Sequence, residues 1–195
     1  MSERDYLVAG LGNIGAEYAL TRHNIGFIVL DAWAQASNIV FSTGRYGDMA
    51  ELSIKGRKFH LLKPSTYMNL SGNAIRYWTR ELEIPTDNLM VVCDDLNLPF
   101  GTMRMRMSGS DGGHNGLKNI EELMETRNYA RIRMGVGHDF SVGEQIDFVL
   151  GKFSEAQLKQ ISGMSVQVVK SIQTWALAGS QKAMTELNSW KLPAE

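Results

Sequence analysis

The run Leu89-Met90-Val91-Val92-Cys93, closed by Asp94-Asp95, decides how the rest of the chain is read. Five consecutive apolar residues with no polar alternation predict a central strand buried on both faces. Its abrupt end in two carboxylates sends at least one of them toward whatever lies beyond the strand's carboxyl end. Working outward, residues 6–9 (YLVA) predict a second short buried strand, which runs into the glycine-rich turn GLGNIG at 10–15. Residues 24–36 carry apolar groups at helical spacing. Residues 48–54 and 57–62 alternate around Gly56 and predict a hairpin. Residues 71–83 predict a helix with Ser71 as its N-cap. The stretch TMRMRM at 102–107 alternates perfectly, giving a strand with a methionine face and an arginine face. A glycine-rich loop, SGSDGGHNG, leads to a helix at 116–125 and a strand at 129–136; helix formers dominate from 154 to about 188. Strand and helix alternate around one inserted hairpin. The pattern predicts an α/β, three-layer single domain over 1–195, with a mixed, mostly parallel central sheet flanked by helices.

The composition narrows the function classes. The chain has 195 residues, 44% apolar and 21% charged, with a net charge of −1. A single cysteine excludes a disulfide framework. No apolar run approaches the ~18–20 residues of a membrane span, and the charged N-terminus does not resemble a signal peptide. A cytoplasmic protein is expected. The near-neutral charge argues against a bulk electrostatic nucleic-acid binder, so an anionic partner must meet a local patch. Residues 96–138, with six basic and four acidic groups, form the one net-positive segment.

GLGNIG satisfies G-x-G-x-x-G, but a dinucleotide-binding helix should begin inside that motif. Here AEYALTRHN intervenes, and Asp31 at the appropriate distance falls mid-helix. The turn is better read as a display for Asn13 at a strand end. Of four histidines, His60 sits in an apolar hairpin strand and is expected to be structural, and His138 a solvated loop residue. His23 in TRHN and His114 in GGHNG lie at loop-to-helix junctions, where functional residues collect. A histidine held by an aspartate activates water or a hydroxyl. Asp94 is the stronger candidate for that aspartate, because the turn before Leu98-Pro99 accounts more easily for Asp95. Asn13, Asn69 and Asn115 recur in similar places; each amide suits a turn, and together they could orient a water and a carbonyl. Arg104 with Arg106, and Arg131 with Arg133, share strand faces with no acid within 100–110 or 126–138. A solvated face or a phosphate-binding patch would account for them. No H-E-x-x-H, C-x-x-C or G-x-S-x-G occurs, and neither metal nor cofactor is expected.

GLGNIGAEYALTRHNIGF, KPSTYMNLSG, CDDLNLPFG, GGHNGLKNI, YARIRMGVG and DFVLGKF, in this order over about residues 5–190, resemble the bacterial peptidyl-tRNA hydrolase family. The resemblance implies hydrolysis of the ester joining a peptide to the 3′ ribose of tRNA, by a monomer, without a metal. It implies His23 as the base, Asp94 as the carboxylate that orients it and Asn13 as the amide of the first turn. Asn69, His114 and Asn115 would position substrate and water, and Tyr18 and Tyr67 would lie near the peptide and 3′ end. Arg106 and Arg133 would hold the tRNA 5′ phosphate. Three positions depart from the family pattern: Ile14 stands where proline is usual, Asp111 where a small or neutral residue is usual, and no proline follows Gly137-His138. Two other classes stay open: a non-catalytic RNA-binding relative on the same fold, which an ester-cleavage assay would separate, and a small-molecule enzyme using GLGNIG for a nucleotide.

Overall fold

The computed structural model describes residues 3–194. In chain order the elements are β1 (Asp5–Gly10), α1 (Ile25–Ala36), β2 (Ser42–Gly44), β3 (Gly47–Ile54), β4 (Arg57–Pro64), α2 (Ser71–Glu81), β5 (Leu89–Asp95), β6 (Met103–Arg106), α3 (Asn115–Met124), β7 (Ala130–Gly135), α4 (Gln145–Val149), α5 (Glu155–Ala178) and α6 (Ser180–Ser189). The strands form one sheet in the order β2-β3-β4-β1-β5-β7-β6. Its centre, β4-β1-β5-β7, is parallel, while the β2-β3-β4 meander and the β6–β7 pair are antiparallel. The mixed sheet is therefore the expected one.

Two apolar layers cover it. Val8, Met90, Val92, Ile132 and Met134 join Val29 and Leu30 of α1 and Val168 and Ile172 of α5 on one face. Leu7, Val91 and Cys93 join Ala74 and Ile75 of α2 and Leu117 and Ile120 of α3 on the other. Residues 89–94 are all buried, as the unbroken apolar run of β5 requires. Met103 and Met105 point into the core, so the methionine stripe is packing. His60 is buried with Nε2 3.2 Å from Asp5 Oδ2, a structural histidine.

Three details differ from the sequence reading. Ser71 does not cap α2: a 3-10 turn, Met68–Leu70, precedes the helix, and the Ser71 hydroxyl donates back to the Met68 carbonyl at 2.7 Å. The Gly72 N–H is instead accepted by Asn119 Oδ1 of α3 at 2.8 Å. The short strand β2 and the five-residue helix α4 have too little apolar periodicity to be read in advance. The glycines around GLGNIG serve close approach instead of a pyrophosphate. A Cβ on Gly10 would lie 2.3 Å from the Gly26 carbonyl oxygen, so α1 crosses directly over the end of β1.

Candidate active site

All four parallel strands end on the same side, and the functional side chains gather there. Alternation along β5 separates its two terminal carboxylates. Asp94 follows Met90 and Val92 to the α1 side; Asp95 follows Val91 and Cys93 to the α3 side. On the α1 side a 3-10 turn, Arg22–Asn24, brings His23 over the strand end. Its Nδ1 lies 2.9 Å from both Asp94 oxygens. From the other side His114 Nε2 reaches Asp94 Oδ1 at 3.0 Å, and the two imidazole centroids are 5.0 Å apart. Asp94 is almost fully buried. Burial alone would raise its pKa, but the charges and hydrogen bonds of His23 and His114 outweigh that and hold the carboxyl well below the usual carboxylate range.

The two histidines differ in their second nitrogen. His114 is the N-cap of α3, and its Nδ1 accepts from the Gly116 and Leu117 N–H groups at 3.1 and 3.2 Å. An acceptor nitrogen carries no proton, so the His114 proton sits on Nε2 and is donated to Asp94. His23 donates its Nδ1–H to the same carboxylate, so in the neutral ring Nε2 is the acceptor nitrogen. His23 is slightly exposed, and it lines the cleft beyond β5 together with Asp94, His114, Asn115, Asp95 and Arg133. Helix α4 lines it as well, through Gln145, Ile146 and Val149.

Asp95 does two things. Its Oδ1 accepts from the Asn97 N–H at 2.8 Å, the turn role expected of it, and its Oδ2 lies 3.8 Å from Arg133 Nη1. Asp111 is also spent within its loop, accepting from the Gly113 N–H at 2.8 Å.

Asn13 and Tyr18 lie on the turns after β1, and Tyr67 and Asn69 on the turn before α2. The Asn13 side chain accepts from the Met68 N–H at 2.7 Å, tying the first turn to the turn that carries Tyr67 and Asn69. Asn24 Oδ1 accepts from the Asn13 N–H at 2.8 Å and Asn24 Nδ2 donates to the Asn13 carbonyl at 2.9 Å. Asn24 therefore locks the first turn to the His23 turn. Sequence reasoning passed over it, although it stands in the same TRHN motif. Asn69 is exposed, as is Tyr67, which has a positive φ of 60°.

On the β6–β7 pair, register sets Arg104 opposite Arg133 and Arg106 opposite Arg131. Two of these four arginines are committed elsewhere. Arg131 is buried, its guanidinium stacked 4.0 Å over the Tyr129 ring and donating to the Gly109 carbonyl at 2.9 Å. Arg104 donates to the Asn188 carbonyl of α6 at 3.2 Å. Arg106 is exposed, and Arg133, bonded to the Ser110 carbonyl, faces the cleft. The two are diagonal neighbours on one face, close enough for long side chains to converge.

Among the described residues His23, Asp94 and His114 also offer ligand atoms within 4.8 Å of one another. A metal there would have to displace the proton that His114 Nε2 donates to Asp94, so the donor set as hydrogen-bonded fits proton transfer instead.

The family profile described as Peptidyl-tRNA hydrolase matches residues 7–195. This chain belongs to the peptidyl-tRNA hydrolase family. It is 56% identical over 183 residues to a peptidyl-tRNA hydrolase of Phocaeicola vulgatus, covering 94% of this chain and 98% of that one. It is 53% identical, over the same share of each chain, to one of Bacteroides fragilis. The crystal structure of peptidyl-tRNA hydrolase from Acinetobacter baumannii superposes with a TM-score of 0.91 at 30% identity, covering 99% of both chains. Among the described residues, no helix is long and apolar enough to cross a membrane.

Proposed function

We propose that this protein hydrolyses the ester between a peptide and the 3′ ribose of tRNA, freeing tRNA from peptidyl-tRNA released before translation is complete. The observation that carries the reading is the His23–Asp94 pair, with Nδ1 bonded to the carboxylate and Nε2 open to the cleft. Nε2 takes a proton from water as the oxygen attacks the ester carbonyl. Asp94 fixes the tautomer of the neutral ring and stabilises the imidazolium that forms. The carbon–oxygen bond to the ribose then breaks, and the proton passes to the ribose oxygen. His114 holds Asp94 from the far side. The Asn115 amide and the N–H groups of the glycine loop steady the developing oxyanion. Asn13, with the turn it braces, sets the position of Tyr67 and Asn69, which take the peptide and the 3′ end along with Tyr18. Arg106 and Arg133 take an RNA phosphate. The chain acts as one domain and as a monomer in the cytoplasm, on peptidyl-tRNA.

Release of free tRNA from peptidyl-tRNA tests this directly. The wild-type protein is expected to release it with or without a chelator, and His23→Ala is not. Loss of wild-type activity in the chelator would turn the same His–Asp–His cluster into a metal site. No release at all would leave the RNA-binding alternative.

A further inference from the structure

Helix α4 is too short to be stable alone, yet it supplies a wall of the cleft. What holds it is the residue before the base. The Arg22 N–H donates to the Gly151 carbonyl at 2.9 Å, Phe153 N donates to the Leu20 carbonyl at 3.0 Å, and Thr21 bridges Lys152. The backbone of the His23 turn is thus laced to the segment that follows α4. The Arg22 side chain then reaches back over the helix. Its guanidinium stacks 4.2 Å above the Phe148 ring and donates from Nη1 to the Phe148 carbonyl at 3.1 Å. Phe148 in turn packs at a tilt against Phe140, centroids 5.0 Å apart, and Phe140 against His138 at 4.1 Å. The fit around the guanidinium is close: a Cβ on Gly151 would lie 2.6 Å from Arg22 Nη1.

We infer that Arg22 is a positioning residue: it clasps α4 to the turn bearing His23 and so sets how the α4 side of the cleft stands relative to the base. The inference rests on reading that cleft as the ester-hydrolysis site. Arg22 reaches the substrate only through Gln145, Ile146 and Val149, the wall it holds, and the His23–Asp94 pair does not depend on it. Loosening the clasp therefore weakens substrate positioning and leaves the proton chemistry alone. Small displacements of a positioning wall are enough to cost about ten- to a hundredfold.

The test uses three variants of the full chain, Arg22→Ala, Arg22→Lys and Gly151→Ala, with two readouts. Hydrogen exchange on the free protein follows the amides of Phe148, Leu150 and Gly151, which close α4. Arg22→Ala is expected to speed their exchange about tenfold while the β5 and β7 amides stay protected, since the change is local. On peptidyl-tRNA its KM is expected to rise about tenfold, with kcat within about threefold and the pH profile unmoved. Arg22→Lys keeps a cation over the ring and one donor, and recovers most of both. Gly151→Ala leaves Arg22 in place but crowds the guanidinium, and is expected to reproduce the alanine effect more weakly; it also carries the test if Arg22→Ala does not fold. Unchanged exchange across 145–151 overturns the clasp. So does a loss confined to kcat with a shifted pH profile, which would mean that Arg22 acts on His23 itself. Failure of the wild type to cleave peptidyl-tRNA refutes the reading of the cleft, while the exchange measurement still judges the clasp.

Discussion

The end of β5 and the open face of the β6–β7 pair hold their charges in opposite ways. At the first, one buried carboxylate is bonded by two imidazoles, and every polar atom but one has a designated partner. At the second, four arginines share a face and, among the described residues, Asp95 is the one carboxylate within 4 Å of any of them. A closed network in a low-dielectric site fixes tautomers and leaves a single reactive nitrogen. A cationic face satisfied mainly by backbone carbonyls keeps its affinity for an outside anion. Two amide-to-imidazole bonds decide the first region; the absence of acids from two strands decides the second. Under the proposed function, the first governs turnover for any substrate with the ester, and the second governs binding of substrates that carry the phosphate.

The sharpest way to break that division is His23→Ala. Removing the proton acceptor is expected to lower kcat by about 10²–10⁴-fold, by the same factor on full peptidyl-tRNA and on a short 3′-end fragment. A loss that depended on the length of the RNA would mean that His23 binds instead of reacting. Asp94→Asn comes next. His23 survives, but its Nδ1–H loses a charged acceptor, and kcat is expected to fall by roughly tens- to hundredfold.

The Asp94 change also has a pH signature. Its carboxyl in the folded protein titrates below its value of about 3.9 in an unfolded chain. A depressed carboxylate contributes stability that is present above the unfolded value and lost as pH falls through the folded one. Acid denaturation followed by circular dichroism should therefore be steeper below about pH 4 for the wild type than for Asp94→Asn. Equal slopes would show that the two histidines do not hold the charge.

How much of this was legible in the residues differs between the two regions for physical reasons. The run at 89–93 announced a doubly buried strand, and its two terminal acids announced a site, because apolar continuity and strand-end chemistry are local signals. The alternation at 103–106 likewise separated methionine from arginine. Which nitrogen of which histidine stays free was not legible. It depends on where the N–H groups of Gly116 and Leu117 point after the loop has folded. What ties down Arg104, the Asn188 carbonyl of α6, and Arg131, the Tyr129 ring and the Gly109 carbonyl, is set by tertiary contacts in the same sense. The wall formed by α4 was missed because five residues carry too little periodicity.

The cationic region is tested by Arg133→Ala and Arg106→Ala. Each is expected to cost about 1–3 kcal/mol in kcat/KM on full peptidyl-tRNA, as for a hydrogen bond to a charged group. The cost should shrink with added salt and largely vanish on a 3′-end fragment lacking the 5′ phosphate. Arg131→Ala separates packing from binding. Its guanidinium is buried against Tyr129, so it should lower thermal stability and act on both substrates alike. Equal losses on the two substrates for Arg106 and Arg133 would make them a solvated face.

The smallest effect expected is at His114, and it tests the closed region from within. His114 does two jobs: its Nδ1 caps α3 and its Nε2–H holds Asp94. His114→Ala removes both. Losing a side-chain cap costs roughly 0.5–2 kcal/mol, so its melting temperature should drop along with its turnover. His114→Asn keeps a capping side chain, since asparagine is among the preferred N-caps, but its short amide cannot also span to Asp94. Its melting temperature should fall less than that of His114→Ala while kcat falls by a few-fold, because the cap is kept and His23 still has its carboxylate. That split, the cap's share of stability recovered and turnover still lowered, is what a tautomer-fixed donor predicts. If His114→Asn instead matched His23→Ala in its loss of kcat, the second imidazole would be taking the proton itself. The distinction drawn from the two N–H groups of α3 would then fail.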